Sequence, residues 1–319
     1  MSAIKPLIPQ RADPFIYKHT DGYYYFTASV PEYDRIELRK AKTIKALSSA
    51  ETVSVWHKPE TGPYSELIWA PEIHFVRGAW YVYFAAAPTR EIKDELFQHR
   101  MYVISCHDAD PLSGNWHFDG QIETGMDTFC LDATVFEHKG ILYYLWAQKQ
   151  NDIQGNSNLY IAEMKSPTEI KGEPVILTKP EFDWEIRGFW VNEGPAVLHK
   201  NGKIYVTYSA SATDENYCMG LLSIDDQADL LVTDNWHKAD QPVFMTNEAA
   251  KMFGPGHNSF TQSEEGEDLL VYHARNYTEI EGDPLWNPDR HTFVKKLNWD
   301  QQGNPVFGTP ADIQDIISA

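Results

Sequence analysis

Apolar and polar positions along the chain follow a pattern that recurs five times. Each copy opens on a polar or small residue, runs as a short alternating strand, turns at a glycine and returns as an aromatic-rich strand. The copies are DPFIYKHTDGYYYFTAS from Asp13, APEIHFVRGAWYVYFAA from Ala70, DATVFEHKGILYYLWAQ from Asp132, EGPAVLHKNGKIYVTYSAS from Glu193 and NSFTQSEEGEDLLVYHAR from Asn258. Their first residues lie 57, 62, 61 and 65 positions apart, and the turn glycines are Gly22, Gly78, Gly140, Gly202 and Gly266. Alternation over so few residues marks a half-buried strand. Tyr, Val, Ile, Phe and Trp suit its pleated surface, and Asp21-Gly22 and Asn201-Gly202 are tight-hairpin dipeptides.

Between the hairpins come further short strands: MYVISCHD (101–108), LYIAEM (159–164) and MGLLSIDD (219–226). IELRKAKTIKALSS (36–49) is the one stretch that tempts a helical reading, and we take it as a strand followed by a loop. Roughly four strands in each period of about sixty residues, five times over, specify an all-β five-bladed β-propeller. No Gly/Ser- or Pro-rich linker divides the chain, so residues 1–319 are expected to form a single domain.

That architecture changes the meaning of isolated acids. The first strand of each blade lines the central channel, so equivalent positions form a ring. The five template openings are Asp13, Ala70, Asp132, Glu193 and Asn258, three of them carboxylates. Any one of these acids could simply cap a turn, as Asp-Pro sequences do. Three at matching phase point instead to a shared site. Ionised acids repel when crowded, and carboxyl pairs flanking a glycosidic bond hydrolyse it, one as proton donor and one as base or nucleophile. Glu193, in GFWVNEGP, is the better acid, because Phe189, Trp190 and Pro195 can exclude water and raise its pKa. Asp13, with Arg11 nearby and a less apolar setting, is the better base. Asp132 then tunes and orients Glu193. Trp69, just before Ala70, is placed to offer an indole face at the channel mouth, although an indole there could equally be core.

Charge and composition narrow the partners. The chain has 27 basic and 46 acidic residues, a net charge of −19, which repels nucleic acid and anionic lipid but not a neutral sugar. No nucleic-acid or membrane partner is expected, and no apolar run reaches the ~18 residues of a membrane span. Cys106, Cys130 and Cys218 are too few and too scattered for a disulfide framework. The opening MSAIKPLIPQRADP lacks the apolar segment of a secretory leader, so a cytoplasmic location is expected.

The blade-start motifs RADPFIY, WAPEIHF, LDATVF, VNEGPAV and GPGHNSF, in this order from about residue 11 to 308, resemble those of glycoside hydrolase family 43. The resemblance implies a five-bladed propeller that hydrolyses arabinofuranosides or xylosides with inversion, with Asp13 as general base, Glu193 as general acid and Asp132 as the pKa-modulating, orienting acid. It also implies that His257, in GPGHNSF, sits under the site and faces a calcium or sodium ion mostly through water, and that Arg290 reaches the sugar. No other cofactor is expected. The segment from Val191 and the end of the chain soon after the fifth repeat look most like the arabinofuranosidase branch. The expected activity is exo-acting α-L-arabinofuranosidase on arabinose-containing oligosaccharides, α-1,5-linked or side-chain. A β-xylosidase or endo-arabinanase of the same family is the alternative, and a non-catalytic sugar-binding propeller is a third.

Overall fold

In the computed structural model, which describes residues 4–311, the five repeats become five antiparallel sheets around a common axis. Blade one is Ala12–Lys18, Tyr24–Ser29, Arg35–Ala41 and Val53–His57; blade two is Glu66–Val76, Ala79–Ala87, Arg100–Cys106 and Trp116–Gln121. Blade three is Cys130–His138, Ile141–Gln148, Asn158–Ser166 and Glu169–Thr178; blade four is Asn192–Lys200, Lys203–Ala210, Cys218–Asp225 and the short His237–Lys238. Blade five has three strands, Phe253–Gln262, Asp268–Arg275 and His291–Lys296. The segment read as strand and loop is a strand followed by a 3-10 turn, Lys45–Ser48. Among the described residues no helix is long and apolar enough to cross a membrane.

Blade five is completed by the other end of the chain. Leu7 N–H donates to Thr292 O (2.8 Å) and Thr292 N–H to Ile8 O (2.9 Å), so residues 7–8 lie along His291–Lys296 before the chain enters blade one. This closure fastens the last blade to the first and removes an open sheet edge. The second strands carry large apolar side chains between blades: Trp80 packs on Tyr25 at 4.6 Å and Tyr83 on Tyr144 at 5.9 Å. All three cysteines are buried and free.

Every innermost strand breaks its ladder at the same register. The pairing slips between Ala12 and Phe15, Trp69 and Glu72, Leu131 and Thr134, Glu193 and Ala196, and Gly256 and Ser259. Inside each slip sits one residue with left-handed backbone: Asp13 (φ 54°), Ala70 (44°), Asp132 (53°), Gly194 (56°) and His257 (41°). These are β-bulges, which bend a strand and re-aim a side chain. In four blades the bulge N–H is caught by a side chain of the preceding blade. Ala70 N–H donates to Ser29 Oγ (2.8 Å), Gly194 N–H to Asp132 Oδ2 (3.2 Å), His257 N–H to Ser209 Oγ (2.7 Å) and Asp13 N–H to His273 Nδ1 (3.0 Å). Blade geometry and site geometry are thus fixed by the same bonds.

Four of the five bulge residues are either glycine or carry a functional side chain; Ala70 bears left-handed strain with no chemistry attached. Ala70→Gly is therefore expected to raise unfolding free energy by up to about 1 kcal/mol, the left-handed penalty less the extra backbone entropy of glycine. Urea or thermal unfolding measures this.

Candidate active site

The bulges converge. His257 Nδ1 lies 3.4 Å from Asp13 Oδ1 and 3.7 Å from Asp132 Oδ2, and a Cβ built on Gly194 would stand 3.1 Å from the same nitrogen. Blades one, three, four and five bring one register position to one point. Two members of the sequence-derived ring shift by a residue. Glu193 pairs with Ser209 and so matches Ala12, Trp69, Leu131 and Gly256, while Gly194 is the bulge residue. Asn258 follows its bulge residue, and its Oδ1 accepts from Thr207 Oγ1 (2.8 Å) between blades four and five. A one-residue shift turns a strand side chain to the other face, and glycine at the bulge left nothing for the sequence pattern to register. The shift does not remove Glu193 from the site. With Trp69 and Leu131, its register equivalents, it lines a cavity of about 160 Å³ that also holds Asp13, Asp132, His257, Arg290 and Tyr217.

All six side chains named from sequence therefore face one cavity. The cation beside Asp13 is a different one from that expected. Arg11 pairs with Glu37 (2.8 Å), whereas Arg290, buried, places Nη1 3.3 Å from Asp13 Oδ1 and donates through Nη2 to the Tyr33 hydroxyl (3.1 Å). Ser29 Oγ donates to Asp13 Oδ2 (2.6 Å). Trp69 stacks on His99 (3.8 Å between centroids), meets Phe97 edge-on and lines the cavity. Phe189 is 53 % exposed at the rim, so Glu193 owes its enclosure more to neighbours such as Val191, Tyr217 and His257.

The carboxyls are pushed in opposite directions. Burial would raise the pKa of Asp13, but His257, Arg290 and His273 outweigh it and hold the group well below the usual carboxylate range. Burial raises Glu193 to about 7; the Tyr217 hydroxyl, donating at 2.8 Å, opposes this and the Asp13 charge adds to it. Asp132 is raised well above the ordinary value by burial, then by Glu193, Asp13 and Glu72, against the Gly194 N–H. Burial lowers His273 to about 3, which suits its neutral ring accepting the Asp13 N–H.

Sequence reasoning missed Tyr217 and His273. His273 had a signal: it is the polar residue in LLVYHAR at the register of Ser29 and Ser209. Tyr217 had none, since it precedes a third strand and reaches the site only through the fold. For an ion at His257, the fit is poor. Among the described residues no three His, Cys, Asp or Glu side chains converge as ligands, and Nδ1 of His257 already faces two carboxylates. A hard cation takes six to eight oxygens, so a cation here would be held by water.

A family model, glycosyl hydrolases family 43, matches residues 4–305. An extracellular exo-alpha-(1->5)-L-arabinofuranosidase of Streptomyces avermitilis is 51% identical over 306 residues, 96% of this chain and 63% of that protein. One of the same name from Streptomyces chartreusis is 49% identical over 280 residues, 88% of this chain and 84% of that protein. The chain thus spans less than two thirds of the Streptomyces avermitilis relative. The crystal structure of an alpha-L-arabinofuranosidase from Lactobacillus brevis superposes with a TM-score of 0.96 at 57% identity, covering 98% of each chain. The expected cytoplasmic location is corrected by these relatives: two are named extracellular, which points to secretion. An acidic propeller held by blade packing, with no disulfide among its described residues, is compatible with either side of a membrane, so composition could not decide it.

A carboxyl raised from about 4.5 to about 7 costs stability wherever the unfolded chain ionises and the folded one does not. Below the lower value both states are protonated and nothing is lost. The deficit grows between the two and stays constant above the higher. Glu193→Gln keeps an acceptor for Tyr217 and removes the charge. It should be near neutral at pH 4 and stabilising at pH 8, by at most about 3 kcal/mol. Unfolding of both proteins at the two pH values measures this.

Proposed function

This chain belongs to glycosyl hydrolases family 43, and from that premise we propose that it is an exo-acting, inverting α-L-arabinofuranosidase that releases arabinose from arabinose-containing oligosaccharides. One observation carries the reading: two carboxyls in one cavity are driven apart in pKa, Asp13 downward by His257, Arg290 and His273 and Glu193 upward to about 7. Such a divergence assigns base and acid. Asp13, ionised, takes a proton from the attacking water. Glu193, protonated, gives its proton to the leaving glycosidic oxygen. An inverting pair needs about 6.5–9.5 Å between carboxyls to seat that water.

Asp132 touches the frame of the site as well as its chemistry. It accepts from Gly194 N–H, beside the acid, and its own pKa is raised by burial and then by the Glu193 charge. Arg290 holds Asp13 and can donate to sugar hydroxyls, while Trp69 offers an apolar face to the C–H side of the ring. His257 lies between the two aspartates, against the floor on which the sugar would rest. The catalytic unit is the single propeller. A calcium or sodium ion near His257 would have a structural role, and no step is routed through it. A cavity of about 160 Å³ is small beside ligand sites of roughly 300–1,000 Å³, which supports one sugar ring entering rather than a chain lying across. The relatives' names support arabinose as that sugar.

With nitrophenyl arabinofuranoside, Glu193→Ala should lower turnover at least about tenfold, and Asp13→Ala more severely, because a good leaving group spares the acid but not the base. Faster cleavage of nitrophenyl xyloside would replace the substrate assignment, and NMR showing a retained anomer in the first product would replace inversion. The pH dependence of kcat/KM should follow from the two directions. Activity falls as pH rises through about 7, where Glu193 loses its proton, and falls in acid only below the ordinary aspartate range, where Asp13 gains one. Glu193→Gln should abolish the upper limb.

A further inference from the structure

The loops over the cavity are unequal. Between second and third strands, blade one spends five residues (30–34), blade two twelve (88–99) and blade five fifteen (276–290). The two longest flank the shortest, and they meet above it. The Arg90 guanidinium, from the blade-two loop, lies 5.3 Å from the centroid of the Trp286 ring, from the blade-five loop. Both ends are anchored. Glu66 accepts from Arg90 Nε (2.8 Å) and from Lys58 (2.9 Å), which aims the guanidinium. Trp286 ends a 3-10 turn, Pro284–Trp286, whose start is capped by Asp283 Oδ1 accepting from Leu285 N–H (2.9 Å). Arg275 Nη2 donates to Pro284 O (2.7 Å).

Beneath the meeting point stands Tyr33, buried, from the short blade-one loop. Its hydroxyl donates to Leu285 O (2.7 Å), its ring lies 5.8 Å from Trp286 and 6.0 Å from Trp69, and Arg290 donates to its oxygen. Ile92, Leu96 and Phe97 of one loop and Asp283 and Leu285 of the other line the cavity. On the opposite side Asn156 and the exposed Phe189 form the rim, where Asn156 N–H donates to Trp190 O (2.7 Å) and Trp190 N–H to Asn156 Oδ1 (3.1 Å) at the level of the blade connections.

We propose that Arg90 and Trp286 clasp the two long loops over blade one, closing the cavity on that side so that only a chain end can enter and the remainder leaves past blades three and four. The clasp is a specificity determinant of the proposed exo-arabinofuranosidase, on which this inference rests. Neither residue lines the cavity, so its loss should spare a substrate with no second sugar. The interaction is an exposed cation–π contact, of a kind whose loss changes an equilibrium about two- to fivefold.

The experiment compares the protein with Arg90→Ala, Trp286→Ala, the double variant and Trp286→Phe, on nitrophenyl arabinofuranoside and on linear α-1,5-arabinan. Without the clasp, kcat/KM on the nitrophenyl substrate should stay within about threefold, while the ratio of oligosaccharides to arabinose released from arabinan rises about two- to fivefold or more. The double variant should match the more affected single variant, and Trp286→Phe, which keeps a ring, should restore single-sugar release. Arabinan products unchanged in variants that retain nitrophenyl activity would overturn the clasp and leave the exo reading standing. Failure of the unaltered protein on both substrates would remove that reading and the clasp with it. Parallel losses on both substrates would make the pair merely structural and also overturn it.

Discussion

A single backbone device, the left-handed bulge repeated in every innermost strand, underlies the rest of this structure. A strand side chain normally points toward one neighbouring blade or the other. Five bulges at one register turn a residue of each blade off that alternation, and four of those residues meet at the axis. Left-handed backbone is strained for residues with a Cβ, and a freed N–H inside protein must find an acceptor. In four blades the acceptor is a side chain of the preceding blade. The strain that shapes the site is therefore held by the contacts that assemble the propeller.

Acids brought together this way cannot all ionise, and the surroundings decide which does. Asp13 has Arg290, Ser29 and two imidazoles around it. Glu193 has a tyrosine hydroxyl donating to it and lines the cavity beside Val191. The same acids in water would titrate almost together. Separating them would turn a cluster of like charges into the proposed base and acid, and Arg290, whose own pKa is raised above its usual value, stands after His257 among the groups that hold Asp13 low.

The rim adds a layer that the repeat does not encode. Bulges and core recur with a period, whereas the connections above them differ from blade to blade. The blade-one loop is short and supplies Tyr33, which ties Leu285, Trp286, Trp69 and Arg290 into one continuous path from rim to base. In the proposed reading these loops set what the cavity admits, while the bulges beneath them position its acids.

Much was readable in the chain alone. Alternation, turn glycines and spacing specified five hairpins, because pleat period and positive-φ turns are local properties that a residue's neighbours impose. Asp13 and Asp132 were placed in their ring because they stand at the same step of that local pattern, and Arg290, Trp69 and His257 were drawn to the cavity by motif. The one-residue offset of Glu193 and Asn258, the exchange of Arg11 for Arg290 beside Asp13, and the presence of Tyr217 and His273 were not local. Each depends on which blade packs against which, on a ladder slip that no periodicity records, and on distances between residues more than two hundred positions apart in the case of Asp13, His273 and Arg290. The sequence determined the strands and the inventory of acids; only packing decided which acid lost its proton, since a pKa is set by the field and burial at a point in space rather than by position along a chain.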